Sequence, residues 1–166
     1  MKFGLMFAYQ NPPQGNIPWQ EPYSDMISCL PRAETLGYSS VFQASHHAQK
    51  DGFCPSPLIA MAGAAAVTEN MRIGTSVLLV PLYAPMKLAE DVAVLDNLSG
   101  GRFVFGVAPG YVSSEFYAHN IPREERISRF EESLDFMTAA WTGEKFSFNG
   151  KHFDVSNALL TPPPIQ

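Results

Sequence analysis

Short apolar runs alternate along the chain with longer stretches of helical spacing. Phe3 to Ala8 is a continuous apolar run, the pattern of a parallel strand covered on both faces. Asn11 to Pro22 carries too much proline for a helix or a central strand and reads as a loop. From Asp25 to Leu36, Ile27, Leu30, Ala33 and Leu36 keep near-helical spacing, with Ser24 or Asp25 as cap, Pro31 as a kink and Gly37 as stop. Val41 to Ala44 reads as a buried strand that ends at Ser45, His46 and His47. Ser56 caps and Pro57 opens a helix over Leu58 to Glu69, rich in alanine and glycine. Arg72 to Pro81 is the third strand, and Pro85 to Leu98 the third helix, with Leu88, Val92 and Leu95 on one face. Arg102 to Ala108 is the fourth strand and Pro109–Gly110–Tyr111 its exit loop, after which Ser113–Ser114–Glu115 begins a short turn or helix. The fourth helix runs from Pro122 or Arg123 to Trp141, with Ile127, Phe130, Leu134, Met137 and Trp141 as its stripe. Phe146–Phe148 and His152–Val155 predict a hairpin around an Asn149–Gly150 turn, and Thr161 to Gln166 an extended linker.

Strand and helix thus alternate four times, which implies a parallel sheet with right-handed crossovers. A closed eight-stranded barrel uses roughly 250 residues, and this chain has 166. Three arrangements suit that length: a fragment, a half-barrel completed by a second one, or a compact open sheet. A half-barrel would leave two free parallel edges and an uncovered inner face.

Composition narrows the partners. At 46% hydrophobic and 16% charged residues, the chain can bury a real core as one domain over residues 1–166. The net charge of −5 and the absence of a basic patch argue against nucleic acid. Cys29 and Cys54 form neither a CxxC pair nor a finger spacing, so a reduced, cytoplasmic setting without a disulfide framework is expected. No run is long and apolar enough to span a bilayer, and Phe3 to Phe7 is too short for a signal peptide.

The candidate chemistry lies at His46 and His47. In parallel α/β folds ligands bind at the carboxyl ends of strands, and imidazole exchanges protons near neutrality. Taken alone, two loop histidines are ordinary polar surface. Asp51 and His119 complete no HxH or HExxH spacing with them, so no metal site is assigned.

An ordered set of short motifs changes that weighting. It includes Lys2–Phe3–Gly4–Leu5, Ala33–Glu34–Thr35–Leu36–Gly37–Tyr38, His46–His47, Ser56–Pro57–Leu58, Arg72–Ile73–Gly74–Thr75 and Leu79–Val80–Pro81. The most specific run is Leu88 to Asp96, continuing through Leu98–Ser99–Gly100–Gly101–Arg102–Phe103, and Gly110–Tyr111, Glu115–Phe116 and Arg129–Phe130–Glu131–Glu132 follow. In these residues the chain resembles the amino-terminal half of the bacterial-luciferase-like flavin-dependent monooxygenases, over essentially its whole length.

The resemblance implies an α/β fold of the TIM (β/α)8-barrel type, with about the first four βα units present as a half-barrel, plus the terminal hairpin and linker. It implies reduced FMN, or alternatively a deazaflavin serving hydride transfer, at the carboxyl ends of the strands. Dioxygen and a small organic substrate would be the reactants, and a flavin reductase the source of reduced cofactor. His46 is expected to give acid/base assistance, with His47 in support. Phe7, Ser76, Val77, Ala108, Gly110 and Tyr111 are the expected cofactor contacts, with a non-prolyl cis peptide between Ser76 and Val77. Glu90, Asp91 and Asp96 are expected to be structural, and Arg102 to pair with a carboxylate. Two positions depart from the family. Ser45 stands where an acidic residue usually precedes the histidine pair. Pro109 stands where luciferases carry a phosphate-holding arginine, which leaves that task mainly to the carboxyl half. The small residues of the helix Leu58–Val67 suit tight packing on the sheet within one chain and equally a homodimer interface, and the chain would otherwise pair with a second half-barrel. A non-catalytic half-barrel that assembles with a partner is the rival reading.

Overall fold

The computed structural model describes residues 1–166. Its parallel strands are β1 (Gly4–Phe7), β2 (Ser40–Gln43), β3 (Arg72–Thr75), β4 (Leu78–Leu79), β5 (Phe103–Val104) and β6 (Val107–Ala108). The helices are α1 (Gln20–Thr35), α2 (Pro57–Val67), α3 (Pro85–Ser99), α4 (Ser113–Ala118) and α5 (Arg126–Ala140), and β7 (Phe146–Asn149) pairs antiparallel with β8 (Asp154–Ala158). No helix is long and apolar enough to cross a membrane.

The sheet order is β1-β2-β3-β5, all parallel, with β4 pairing β6 beyond it. Each of the two expected long strands is thus bent into two short ones, at Ser76–Val77 and at Phe105–Gly106. The sheet does not close. Its two faces differ sharply. Leu5, Val41, Ile73 and Phe103 lie in one register row and pack under the helices with Met26, Leu30, Met61, Ala64, Leu88 and Val92. The next row, Met6, Phe42, Gly74 and Val104, faces the other way, and Met6 is 63% exposed. Gly74 is needed there: a Cβ would come within 2.6 Å of both the Phe42 ring and the Val104 carbonyl oxygen.

Several expectations need correction. Helix α1 starts at Gln20, inside the stretch expected to be loop, so neither Ser24 nor Asp25 caps it. Pro31 stays within α1 on an exposed turn. The buried side of α5 is Ser133, Phe136, Met137 and Ala140, whereas Ile127 of the expected stripe is exposed. The hairpin loop is four residues, Gly150–Phe153, closed by the Gly150 N–H donating to the Phe153 carbonyl. Glu132 of α5 accepts the main-chain N–H groups of Lys151, His152 and Phe153 and so stands in for turn chemistry. Arg102 pairs with no carboxylate. It donates to the carbonyls of Ala65, Thr68, Met71 and Ser99 and to Thr68 Oγ1, tying together the ends of α2 and α3 and the start of β3. The terminal linker is docked: buried Asp96 accepts the N–H groups of Ile165 and Gln166, and the Gln166 side chain reaches the Phe103 carbonyl.

Candidate active site

At the carboxyl end of β2 the chain leaves the sheet through Ala44 and Ser45 and delivers the histidine pair. Gln43 is wholly buried, and its amide donates to the carbonyls of Phe7 and Ala44. Those bonds tie the ends of β1 and β2 together. Ser45, also buried, donates its hydroxyl to the Val77 carbonyl at 2.7 Å. The Ser76 N–H donates to the Gln43 carbonyl, and the Ser76–Val77 peptide is cis, at the position the resemblance implies. Beside it, Thr75 Oγ1 donates to the Gly106 carbonyl, so the bends of the third and fourth strands are locked to each other. A side chain at position 106 would collide with the Thr75 carbonyl oxygen, which makes glycine obligatory. The serine found in place of the expected acid thus has its own task, because a carboxylate could not donate to Val77.

The missing charge comes from another element. Helix α4 puts Glu115, wholly buried, against the histidine pair. His46 Nδ1 lies 2.8 Å from Glu115 Oε1, and the His47 main-chain N–H donates to the same oxygen at 2.9 Å. Phe116, the next residue, packs with Leu79 and Leu82. Gly110 has φ +76°, and its Cα faces the Phe116 ring, so the exit loop can pass over α4. His46 is about a third exposed, and the Phe53 ring meets it edge-on with 4.8 Å between centroids.

His47 is placed differently. Its ring is buried, edge-on to His119 at 4.8 Å and to Tyr83 at 6.3 Å, and its Nε2 has no hydrogen-bond partner. Burial lowers its pKa, His119 adds to the drop and Glu115 opposes it, so the neutral ring is favoured. Burial pushes the neighbouring Tyr83 hydroxyl up to about 12. Glu115 Oε2 and Gln43 Oε1 are likewise buried without partners.

The structure therefore brings His46, Ser76, Val77, Ala108 and Gly110 to the carboxyl end of the sheet, with His47 behind them. Phe7 does not join them. It lies on the helix-facing side with Leu5 and stacks on Tyr9. Tyr111 stands at the rim, 70% exposed, and its carbonyl accepts from Arg123 Nε. That contact gives the exit loop a guanidinium that Pro109 does not supply. Glu115, Gln43 and the Ser45 clamp were not assigned from sequence. The pairing of Glu115 with His46 spans 69 residues and leaves no local pattern.

Comparisons with known proteins give the family and the fold. The family model described as luciferase-like monooxygenase matches residues 1–166. The oxygenase component of flavin-dependent trigonelline monooxygenase from Acinetobacter baylyi is 28% identical over 169 residues, covering 100% of this chain and 46% of that protein. The crystal structure of the monooxygenase RslO1 from Streptomyces bottropensis superposes with a TM-score of 0.92 at 28% identity, over 100% of this chain and 50% of that one. The oxygenating constituent of 3,6-diketocamphane monooxygenase from Pseudomonas putida, a type II Baeyer–Villiger enzyme solved with FMN, gives 0.86 at 26% identity, over 95% of this chain and 44% of that one. The chain spans about half the length, or less, of these relatives.

Proposed function

The chain belongs to the luciferase-like monooxygenases, and from that premise we propose that it carries one half of a flavin-dependent oxygenase site, with His46 as the acid/base group. The observation that carries this reading is the placement of a carboxylate-paired imidazole beside the Ser76–Val77 peptide at the carboxyl ends of the parallel strands. The residues present fit the ring end of a flavin. The glycines at 106 and 110 keep the strand exits low, and Ser45, Gln43 and Thr75 fix the main chain beneath them. Ser76, Val77, Ala108 and Gly110 would hold the ring, with Tyr111 closing the rim. When bound, reduced flavin supplies the electrons that activate dioxygen. His46 holds or moves a proton beside it, and the buried Gln43, Ser45 and Glu115 keep that corner rigid. The FMN-bound Baeyer–Villiger relative supports a small carbonyl compound or similar organic molecule as substrate. The oxygenase component from Acinetobacter supports a separate reductase as electron source.

The open sheet favours a second reading, in which the chain turns nothing over alone and pairs with four further βα units to complete a barrel. Exposed Met6 and Phe3 support it. A homodimer through α2 draws support from Ile59 on α2 and Leu98 on α3, exposed on two helices packed side by side; a compact monomer in sedimentation at micromolar concentration refutes it. Titration of FMN, and of a deazaflavin, into the chain with fluorescence detection separates the two main readings. Saturable quenching of FMN, weakened by Gly106→Ala, supports the site. No binding by the chain, together with binding after a second half is added, supports the barrel-completing reading. Unchanged turnover of His46→Ala in the assembled oxygenase would refute the acid/base assignment.

A further inference from the structure

We propose that Glu115 is the positioning residue of His46: it holds the ring proton on Nδ1 and leaves Nε2 as the nitrogen that exchanges protons with the site. This rests on the reading of His46 as the acid/base group. Two contacts meet at Glu115 Oε1, the His46 Nδ1 at 2.8 Å and the His47 main-chain N–H at 2.9 Å. A main-chain N–H can only donate, so Oε1 is an acceptor in one of its two contacts whatever the histidine does. A carboxylate oxygen accepts and an imidazole nitrogen donates only when it carries the proton, so the 2.8 Å contact puts the ring proton on Nδ1. A histidine tautomer is set by the bond its other nitrogen makes, and His46 Nε2 has no hydrogen bond from the chain.

The carboxylate is itself held still. It is wholly buried in the first turn of α4, and Phe116 anchors that turn against Leu79 and Leu82. The same residue replaces the charge that position 45 lacks, from a different element. The charged and titratable groups around His46 are Glu115, His47 and Asp51, and Asp51 is already engaged by Gln10 and by the Phe53 N–H. The chemistry follows simply. A proton taken up at Nε2 makes an imidazolium whose Nδ1–H stays on Glu115, and the carboxylate need not accept it, as in other oriented-base pairs. His47 has no such partner on its ring, which separates the roles of two adjacent imidazoles.

The test is the tautomer itself, read from 15N-labelled histidine by multiple-bond proton–nitrogen spectra above the imidazole titration range. His46 is expected as the Nδ1–H form in the unaltered chain. Glu115→Ala is expected to move it to the mixture seen for free histidine. Glu115→Gln keeps the acceptor oxygen but loses the charge, and is expected to retain the tautomer with its Nδ1–H proton resonance shifted upfield. An Nε2–H form in the unaltered chain overturns the proposal with no variant needed. So does a tautomer unmoved by Glu115→Ala. Should that variant fail to fold, a Glu115→Gln resonance that does not move overturns it as well. Turnover of His46→Ala tests the acid/base reading separately, so the failure of either is distinguishable from the failure of the other.

Discussion

Replacing Arg102 tests how the helical layer is fastened to the sheet. Its guanidinium makes five donations, to Ser99, Met71, Ala65 and Thr68 carbonyls and to Thr68 Oγ1, at 2.7 to 3.1 Å. A hydrogen bond to a charged group contributes about 1.5–3 kcal/mol when taken singly, but five on one side chain do not add. Arg102 is half-buried, so water takes over some of the abandoned carbonyls. A loss of roughly 2–4 kcal/mol is therefore expected for Arg102→Ala. For a chain of this size that corresponds to a fall in Tm of roughly 5–15 °C. Arg102→Lys should recover less than half of it, because an ammonium has three donors and no fork to span two helix ends. Thermal and urea unfolding followed by circular dichroism give both values. A loss under about 0.5 kcal/mol for Arg102→Ala, the range of an ordinary surface change, would refute the view that this residue joins α2, α3 and β3.

Stability should fall on acidification in two windows. His47 has its pKa lowered by burial, so below about pH 6.5 the unfolded chain takes a proton that the folded one refuses. Burial alone would raise the carboxyls of Glu34 and Glu132. The main-chain N–H groups of Glu69, Asn70 and Met71 for one, and of His152, Phe153 and Lys151 for the other, outweigh it and hold both below the usual range. Their contribution is present above the unfolded carboxyl pKa near 4.3 and is lost as pH falls through the folded values; urea midpoints against pH should show a second decline that Glu34→Gln with Glu132→Gln flattens. Gly106→Ala should cost about 1–3 kcal/mol or more as an overpacking change, because the Thr75 main chain must move; an unchanged urea midpoint would contradict the crowding at the strand bends. Asp96→Ala should free the docked end, and hydrogen exchange at the Ile165 amide should become fast; persistent protection there would mean that packing, and not Asp96, holds it.

The order of elements was legible because each has a local signal. Pro57 opens α2, and Gly100, with φ +65°, ends α3. Where the expectation failed, the deciding contact was remote. Helix α1 begins at Gln20 without a side-chain cap, so nothing in its own sequence marks the start. Ser133 is buried on α5 while Ile127 is exposed, because neighbours choose which side of an ambiguous helix is covered. The hairpin loop takes its shape from Glu132, nineteen and more residues earlier. The candidate site divides the same way. The histidine pair and Glu115–Phe116 both belong to motifs, but the role of Glu115 lies in a contact with His46 that forms only after α4 has folded over the strand ends. Ser45 shows a related limit. Its lack of charge was visible, but its hydroxyl bond to Val77 depends on a neighbouring strand.

The two register rows of the sheet separate what stabilises the molecule from what it leaves open. The row through Leu5, Val41, Ile73 and Phe103 finds its whole environment among helices of the same βα units. The chain can therefore gain its cooperative core from contacts between consecutive units. The row through Met6, Phe42 and Val104 adds little to that core, and it remains a ready-made template of apolar side chains between two free parallel edges. A change under the helices strikes that core directly, whereas a change at exposed Met6 leaves its packing in place. That row is also where the folded chain is most open to adhesion.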